Sequence, residues 1–344
     1  MVEIVAGNIL DAEAEAIVNT VNCVGVMGKG IALQFKQAHP ENFKAYKRAC
    51  DAKRIQPGRM FVFETGSLMN PKYIINFPTK RHWKGKSKIE DIQAGLQALI
   101  EEVRRLGIRS IAVPPLGCGN GGLAWSVIRP MIESAFKVLP DVVVCLYAPL
   151  GAPAAEAMPV RTEPPRMTRA RALVVKIIQH YCMPGYRLTM LEIQKLAYFL
   201  QEAGEPLRLA YIPERYGPYA ENLHFLLQRI EGHYIQGYGD RSQDARIRVK
   251  PEAIHEADEF LAGDEEASAR FERVIRLIEG FETPYGMELL STVYWVAKEE
   301  APPARDADSA IKKVHAWNAR KAKLFKPDHI RVAWQRLRDE QWLN

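Results

Sequence analysis

Two glycine-rich segments, each leaving an apolar strand pattern and entering a helical one, constrain this chain more than any other feature. The first runs Asn19-Thr20-Val21-Asn22-Cys23-Val24-Gly25-Val26-Met27-Gly28-Lys29-Gly30-Ile31-Ala32. The second runs Val113-Pro114-Pro115-Leu116-Gly117-Cys118-Gly119-Asn120-Gly121-Gly122-Leu123. Glycine adopts positive φ and lets backbone N–H groups approach an anion closely, and a helix N-terminus adds unpaired donors. Gly28 and Gly30 are therefore candidates for diphosphate contacts, although a turn alone would also explain them. Two such segments after separate strands can clasp both ends of one extended ligand, so the pair is more specific than either alone. The first segment is neither a Walker A loop nor a dinucleotide fingerprint: GVMGKGIA lacks the GxxxxGK[ST] register and contains no GxGxxG. It does not point to a kinase, a GTPase or an NAD dehydrogenase.

The surrounding pattern explains what carries these loops. VEIVAG, AEAIVNTVN, RMFVFETG, YIINFP, IRSIAVPPLG and VVVCLYAP read as short buried strands. Helical spacing covers 30–38, 42–50, 89–106 and 125–139, with an apolar stripe of Ile89, Ile92, Leu96, Leu99, Ile100, Val103 and Leu106 in the third. Alternating strands and helices predict an α/β domain over residues 1–150 with a sheet covered on both faces, and ligands on such sheets collect beyond the strands' C-terminal ends.

Residues 151–166 are rich in proline, alanine and charge without apolar periodicity and read as a linker. Residues 167–344 read as mainly helical, with helices over 173–182, 189–203, 220–230, 265–279, 286–299 and 309–318 and short β segments at LRLAYIP, HYIQGYG and ARIRVKP. Thr189 with Glu192 has the form of a capping box. Pro213 and Gly217-Pro218 suggest a shaped loop before the 220–230 helix.

The +6 net charge lies wholly in residues 1–155, where 19 Lys and Arg face 13 Asp and Glu; the remainder is balanced at 28 each. Its densest part, Lys80-Arg81-His82-Trp83-Lys84-Gly85-Lys86-Ser87-Lys88, has five cations and no acid. Such a run attracts a polyanion, although a solvated loop has the same composition. The five widely spaced cysteines make neither a disulfide framework nor a CxxC pair, and His224, His233, His255, His315 and His329 share no metal-ligand spacing. No metal is therefore expected. Acids near the N-terminus and the lack of an apolar leader argue against secretion, and no apolar run spans a bilayer. A cytoplasmic location and no membrane partner are the expectations.

NTVNCVGVMGKGIALQFK, FPTKRHW and VPPLGCGNGGLAW resemble the macrodomain family, especially its DNA ADP-ribosyl glycohydrolase branch, antitoxins of DNA-modifying ADP-ribosyltransferases. The resemblance covers residues 1–150 and implies a three-layer α/β/α macrodomain. It places Asp11 near the adenine, with Gly7, Asn8 and Ile9 beside it, and Asn22 at the distal ribose. Gly28, Lys29, Gly30 and Ile31, with Gly117, Cys118, Gly119, Asn120 and Gly121, would hold the phosphates. Thr79 and His82 would complete the substrate site and Lys80 would carry the chemistry. Implied with these are hydrolytic removal of ADP-ribose from thymidine in single-stranded DNA and no cofactor, ADP-ribose being substrate moiety or product.

A lysine at the Lys80 position, after a strand and the Pro78-Thr79 turn, can anchor phosphate, act as an acid or, with a lowered pKa, attack an anomeric carbon. Arg81 and His82 are the neighbours expected to lower it. His82 can also serve in proton transfer or touch DNA, and Trp83 can stack on a base or anchor the loop. A related macrodomain branch acting on acidic protein side chains pairs its lysine with an aspartate in the second glycine loop. Here Gly121 stands in that place, and no carboxylate occurs between Glu102 and Glu133.

QKLAYFL and RYGPYAENL resemble the helical C-terminal domain of these antitoxins, which implies binding of the cognate DNA ADP-ribosyltransferase toxin by 167–344. Tyr198, Tyr211, Tyr216 and Tyr219 are candidate interface anchors, and AWNARKAKLFKPDHIRVAWQRL a candidate nucleic-acid contact. Two other readings remain at this stage, a noncatalytic ADP-ribose-binding module and a protein ADP-ribosyl hydrolase.

Overall fold

Alternate residues of the longest apolar strands are buried on opposite sides, which requires a helical layer on each face of one sheet. In the computed structural model, which describes residues 1–149, 157–181, 188–239 and 247–343, that sheet has six strands. They are β1 (Val2–Val5), β2 (Ala16–Asn22), β3 (Phe61–Glu64), β4 (Tyr73–Lys80), β5 (Ser110–Val113) and β6 (Val143–Tyr147), in the order β1-β6-β5-β2-β4-β3. Every neighbouring pair is parallel except β3 with β4.

Ala16 and Val18 of β2 pack with Ile75, Phe77, Ile111 and Val113 under α3 (Ile89–Leu106) and α4 (Trp125–Phe136). Ile17, Ile74 and Ala112 face the other way, onto Phe35 of α1 (Gly30–Ala38). Tyr46, Ala49 and Cys50 of α2 (Pro40–Asp51) close that same face around Val21 and Met27. The result is the three-layer α/β/α architecture expected. A buried amide chain stitches the layers, Asn19 donating to Asn76 at 3.0 Å and Asn76 to Asn42 of α2 at 2.7 Å.

Two compact units divide between residues 163 and 164, with Gly239 grouped with the first. Residues 157–163, from the stretch read as linker, lie on the first unit, where the Arg161 N–H donates to the Gln37 carbonyl at 2.8 Å. Residues 151–156 of that stretch, Cys182 and residues 245–246 of the ARIRVKP segment lie outside the described residues.

The second unit is mainly helical: α5 (Arg169–Tyr181), α6 (Met190–Glu202), α7 (Leu223–Ile230), α8 (Pro251–Leu261), α9 (Glu265–Ile278), α10 (Pro284–Lys298), α11 (Ala307–Trp317), α12 (Ala319–Leu324) and α13 (Pro327–Asp339). The Thr189–Glu192 capping box opens α6 as expected. α8, α12 and α13 were not foreseen; the first and last begin on Pro251 and Pro327, residues suited to a first helical turn as well as to a break. The expected loop at Pro213 and Gly217-Pro218 is instead a hairpin, β7 (Tyr211–Glu214) with β8 (Gly217–Ala220), Pro213 standing opposite Pro218. A two-residue turn closed by Glu214 and Gly217 puts the next pair at a non-hydrogen-bonded position, where proline's missing N–H costs nothing.

The late basic stretch is divided between core and surface, with Lys323, Lys326 and Arg331 exposed. Lys321 is fully buried, donating to Glu288 at 2.7 Å and Thr292 at 3.0 Å, and Trp334 is 7% exposed. Trp317 donates to the Glu214 carbonyl at 3.0 Å. Tyr198 is likewise buried, whereas Tyr216 remains 42% exposed beside Arg320. Among the described residues no helix is long and apolar enough to cross a membrane.

Candidate active site

The parallel strands β4, β2 and β5 lie side by side, so the loops that follow them open from one edge of the sheet. From β2 the chain runs through β3 to β4 on one side and then crosses by α3 to β5 on the other, the kind of switch point at which ligands gather. A register shift at Val21/Asn22 sets Asn22 opposite Lys80 instead of Thr79. That irregularity delivers Lys80 to the rim while burying Thr79, whose hydroxyl donates to the Val21 carbonyl at 3.4 Å.

Lys80 Nζ donates to the Asn120 carbonyl in the second glycine loop at 2.5 Å. It lines a cleft of about 350 Å³ together with Lys29, Trp83, Lys84, Gly85, Lys86, Gly119 and Asn120. The lining includes four lysines and no carboxylate. Burial first, then the Lys29 and Lys86 ammonium groups, holds Lys80 below the ordinary lysine value. This corrects the expectation that Arg81 and His82 do so. Arg81 is spent on Asp91 in the first turn of α3, at 3.0 and 3.3 Å, and His82 is exposed, its Nδ1 accepting the Lys84 N–H at 3.3 Å.

Among the described residues the N–H groups of Gly119, Asn120 and Gly121 find no intramolecular acceptor, whereas Cys118 N–H is taken by the Pro115 carbonyl and Gly122 N–H by that of Gly119. Three successive open donors beside an ammonium group form a nest for an anion. Cys118 adds no open donor, since its thiol too is engaged, donating to the Leu116 carbonyl and held up at about 11 by burial. Gly117, at φ +72°, makes the turn that starts the nest.

Gly30 has φ +56°, and a Cβ there would lie 3.2 Å from Asn120 Nδ2, so the two glycine loops adjoin. Gly28 is buried, and Ile31 is half-buried in the first turn of α1. Asn22 is not among the residues that line the cleft. Its carboxamide oxygen accepts from the Val24 and Val26 N–H groups at 3.0 and 3.3 Å and its amide donates to the Val26 carbonyl at 2.5 Å, so it shapes the first loop. Asn8, buried Ile9 and exposed Asp11 form a short turn beyond the C-terminal end of β1, on the same sheet edge but outside the Lys80 cleft lining.

Gly121 has a steric cause that composition did not disclose. A Cβ at 121 would stand 2.2 Å from the Gly117 carbonyl oxygen and 2.3 Å from Ser87 Oγ. No side chain fits, so the loop as folded excludes an acid at this place. Ser87, which sequence reasoning missed, is buried at 7% exposure, and its N–H donates to the Gly121 carbonyl at 3.1 Å. Only its place in the basic run hinted at the site.

A family model for the Macro domain matches residues 18–132. The chain is 48% identical to a DNA ADP-ribosyl glycohydrolase of Thermus aquaticus, over 99% of this chain and 96% of that protein. It is 44% identical to a DNA ADP-ribosyl glycohydrolase of Mycobacterium tuberculosis, over 96% and 97%. The solved macrodomain of Mycobacterium tuberculosis DarG is 56% identical, covers 43% of this chain and 98% of its own length, and has a TM-score of 0.43. Matching at this identity along nearly the whole length, rather than over the first unit alone, places the chain in the DNA ADP-ribosyl glycohydrolase family of macrodomain proteins.

Proposed function

We propose that the protein hydrolyses ADP-ribose from thymidine in single-stranded DNA and, through its second unit, binds the DNA ADP-ribosyltransferase that installs it. The observation that carries this reading is the half-buried Lys80 ammonium between two glycine loops, in a cleft whose charged lining residues are all lysines. The backbone nest from Gly119 to Gly121 receives the diphosphate, and Lys29 and Lys86 add charge toward it. The same charges draw the polyanionic strand to the cleft. Lys80 then acts at C1″ of the distal ribose. In the net reaction a water oxygen ends on C1″ and the released base nitrogen takes the proton. A lysine held below its ordinary pKa can do this as a nucleophile, through an opened sugar bound as an imine, or by polarising the glycosidic bond directly.

The family relationship supports DNA as the substrate, and the closed space at Gly121 disfavours the lysine–aspartate chemistry that acts on protein carboxylates. Turnover of matched ADP-ribosylated DNA and protein substrates by wild type and Lys80→Ala is the test. Wild type should act repeatedly on the DNA, with the variant about 100-fold slower or worse. Equal turnover by both proteins, at near-equal affinity for free ADP-ribose, rejects the role of Lys80. Binding without turnover by wild type instead describes a reader of ADP-ribose. Borohydride trapping of an adduct on wild type identifies the imine route.

A further inference from the structure

Trp83 shares the cleft with the Lys80 ammonium, and the diphosphate nest requires no aromatic ring. Its loop is braced at several points, unlike a solvated turn. The Gly85 N–H donates to the His82 carbonyl at 3.0 Å, closing a turn on Trp83. Arg81 ties the loop's start to Asp91 at 3.0 Å, and Ser87 N–H ties its end to the Gly121 carbonyl at 3.1 Å. The indole is half-buried, with the His82 ring tilted 31° at 5.6 Å and Lys84 Nζ 4.9 Å from its centroid. A fixed, partly open indole with cations around it matches the chemistry of a base-stacking platform, in which ring meets base and ammonium groups meet phosphate.

We propose that Trp83 stacks on the nucleobase that carries ADP-ribose and so selects base-linked over side-chain-linked ADP-ribose. This rests on the hydrolase reading for its substrate, but it concerns recognition and is measurable without turnover. A flat π-surface beside the acting amine holds the leaving base in place, whereas a carboxylate-linked ADP-ribose offers no ring to stack. The closed position at Gly121 and the platform at Trp83 then act together. One excludes an acid partner, and the other supplies binding energy only to an aromatic leaving group.

The experiment compares two probes, ADP-ribosyl-thymidine and free ADP-ribose, by calorimetry on the full chain carrying Lys80→Ala, alone or with Trp83→Ala or Trp83→Phe. The parent should bind the thymidine conjugate more tightly than free ADP-ribose. Trp83→Ala should weaken the conjugate about tenfold and Trp83→Phe should recover most of that loss. Free ADP-ribose should stay within about twofold in all three. Equal affinity of the parent for both probes overturns the platform, as does an unchanged conjugate affinity in Trp83→Ala. Parallel loss of both probes also overturns it, because the ring would then only brace the loop. If the protein with Lys80 intact binds the conjugate selectively through Trp83 yet turns over no ADP-ribosylated DNA, the hydrolase reading fails while the platform stands.

Discussion

Lys86 and Gly121 show how single residues set the chemistry of the cleft. Lys80 is kept below the ordinary lysine value by burial and by Lys29 and Lys86, so it loses its proton at lower pH than a solvated lysine would. Removing one neighbouring cation lifts that pKa back toward the ordinary value. In Lys86→Met, therefore, the limb of the kcat/KM profile that reports Lys80 should move to higher pH. A limb rising with pH marks the neutral amine as the acting form, and one falling with pH the ammonium; the displacement is alkaline in either case. A profile that does not move means that Lys86 leaves Lys80 untouched. Lys80 was legible in the sequence from its place after a strand in a basic run. The neighbours that tune it were not, because Arg81 turns to Asp91 and Lys29 arrives from another loop.

At the scale of elements, the placement of the cleft depends on how closely α3 lies against β4, since the basic loop joins them. Gly95 sets that distance: a Cβ there would meet the Phe77 ring at 2.2 Å. Alanine in place of a mid-helix glycine gains about 1 kcal/mol of helix propensity. An intrusion of this depth into a ring with no exposure costs more, because neither helix nor strand can yield without disturbing the buried stripe on α3. Gly95→Ala is therefore expected to destabilise the first unit by about 1–3 kcal/mol, read as a lower urea midpoint of that unit. A rise in the midpoint would mean that Phe77 swings aside and that propensity dominates. The apolar stripe fixed the α3 boundaries in advance, whereas the close approach at Gly95 needed the packed partner.

Across the whole molecule, the two units have separate interiors: clusters on both faces of the β1 to β6 sheet in the first, and one aromatic and aliphatic cluster in the second. Residues with no shared partners contribute independently. If the second unit holds the toxin, Lys80→Ala in the full chain should slow hydrolysis as above and leave toxin affinity within about twofold, measured by calorimetry with the cognate DNA ADP-ribosyltransferase. Loss of toxin binding in that variant would place the toxin contact in the first unit.

Periodicity and glycine spacing in the sequence determined the α/β class, the helices at 30–38 and 89–106, the capping box at Thr189 and the two loops that make the cleft, because these are local patterns read within a few turns of chain. Tertiary structure alone decided which of the basic residues face Lys80, that Asn22 and Thr79 serve the backbone, and that Gly121 excludes a side chain. It also buried Lys321 of the late basic stretch against Glu288, and made a hairpin of the prolines at 213 and 218. These outcomes depend on groups far apart in sequence, and a side chain's hydrogen-bonding and electrostatic role is set by what is packed against it.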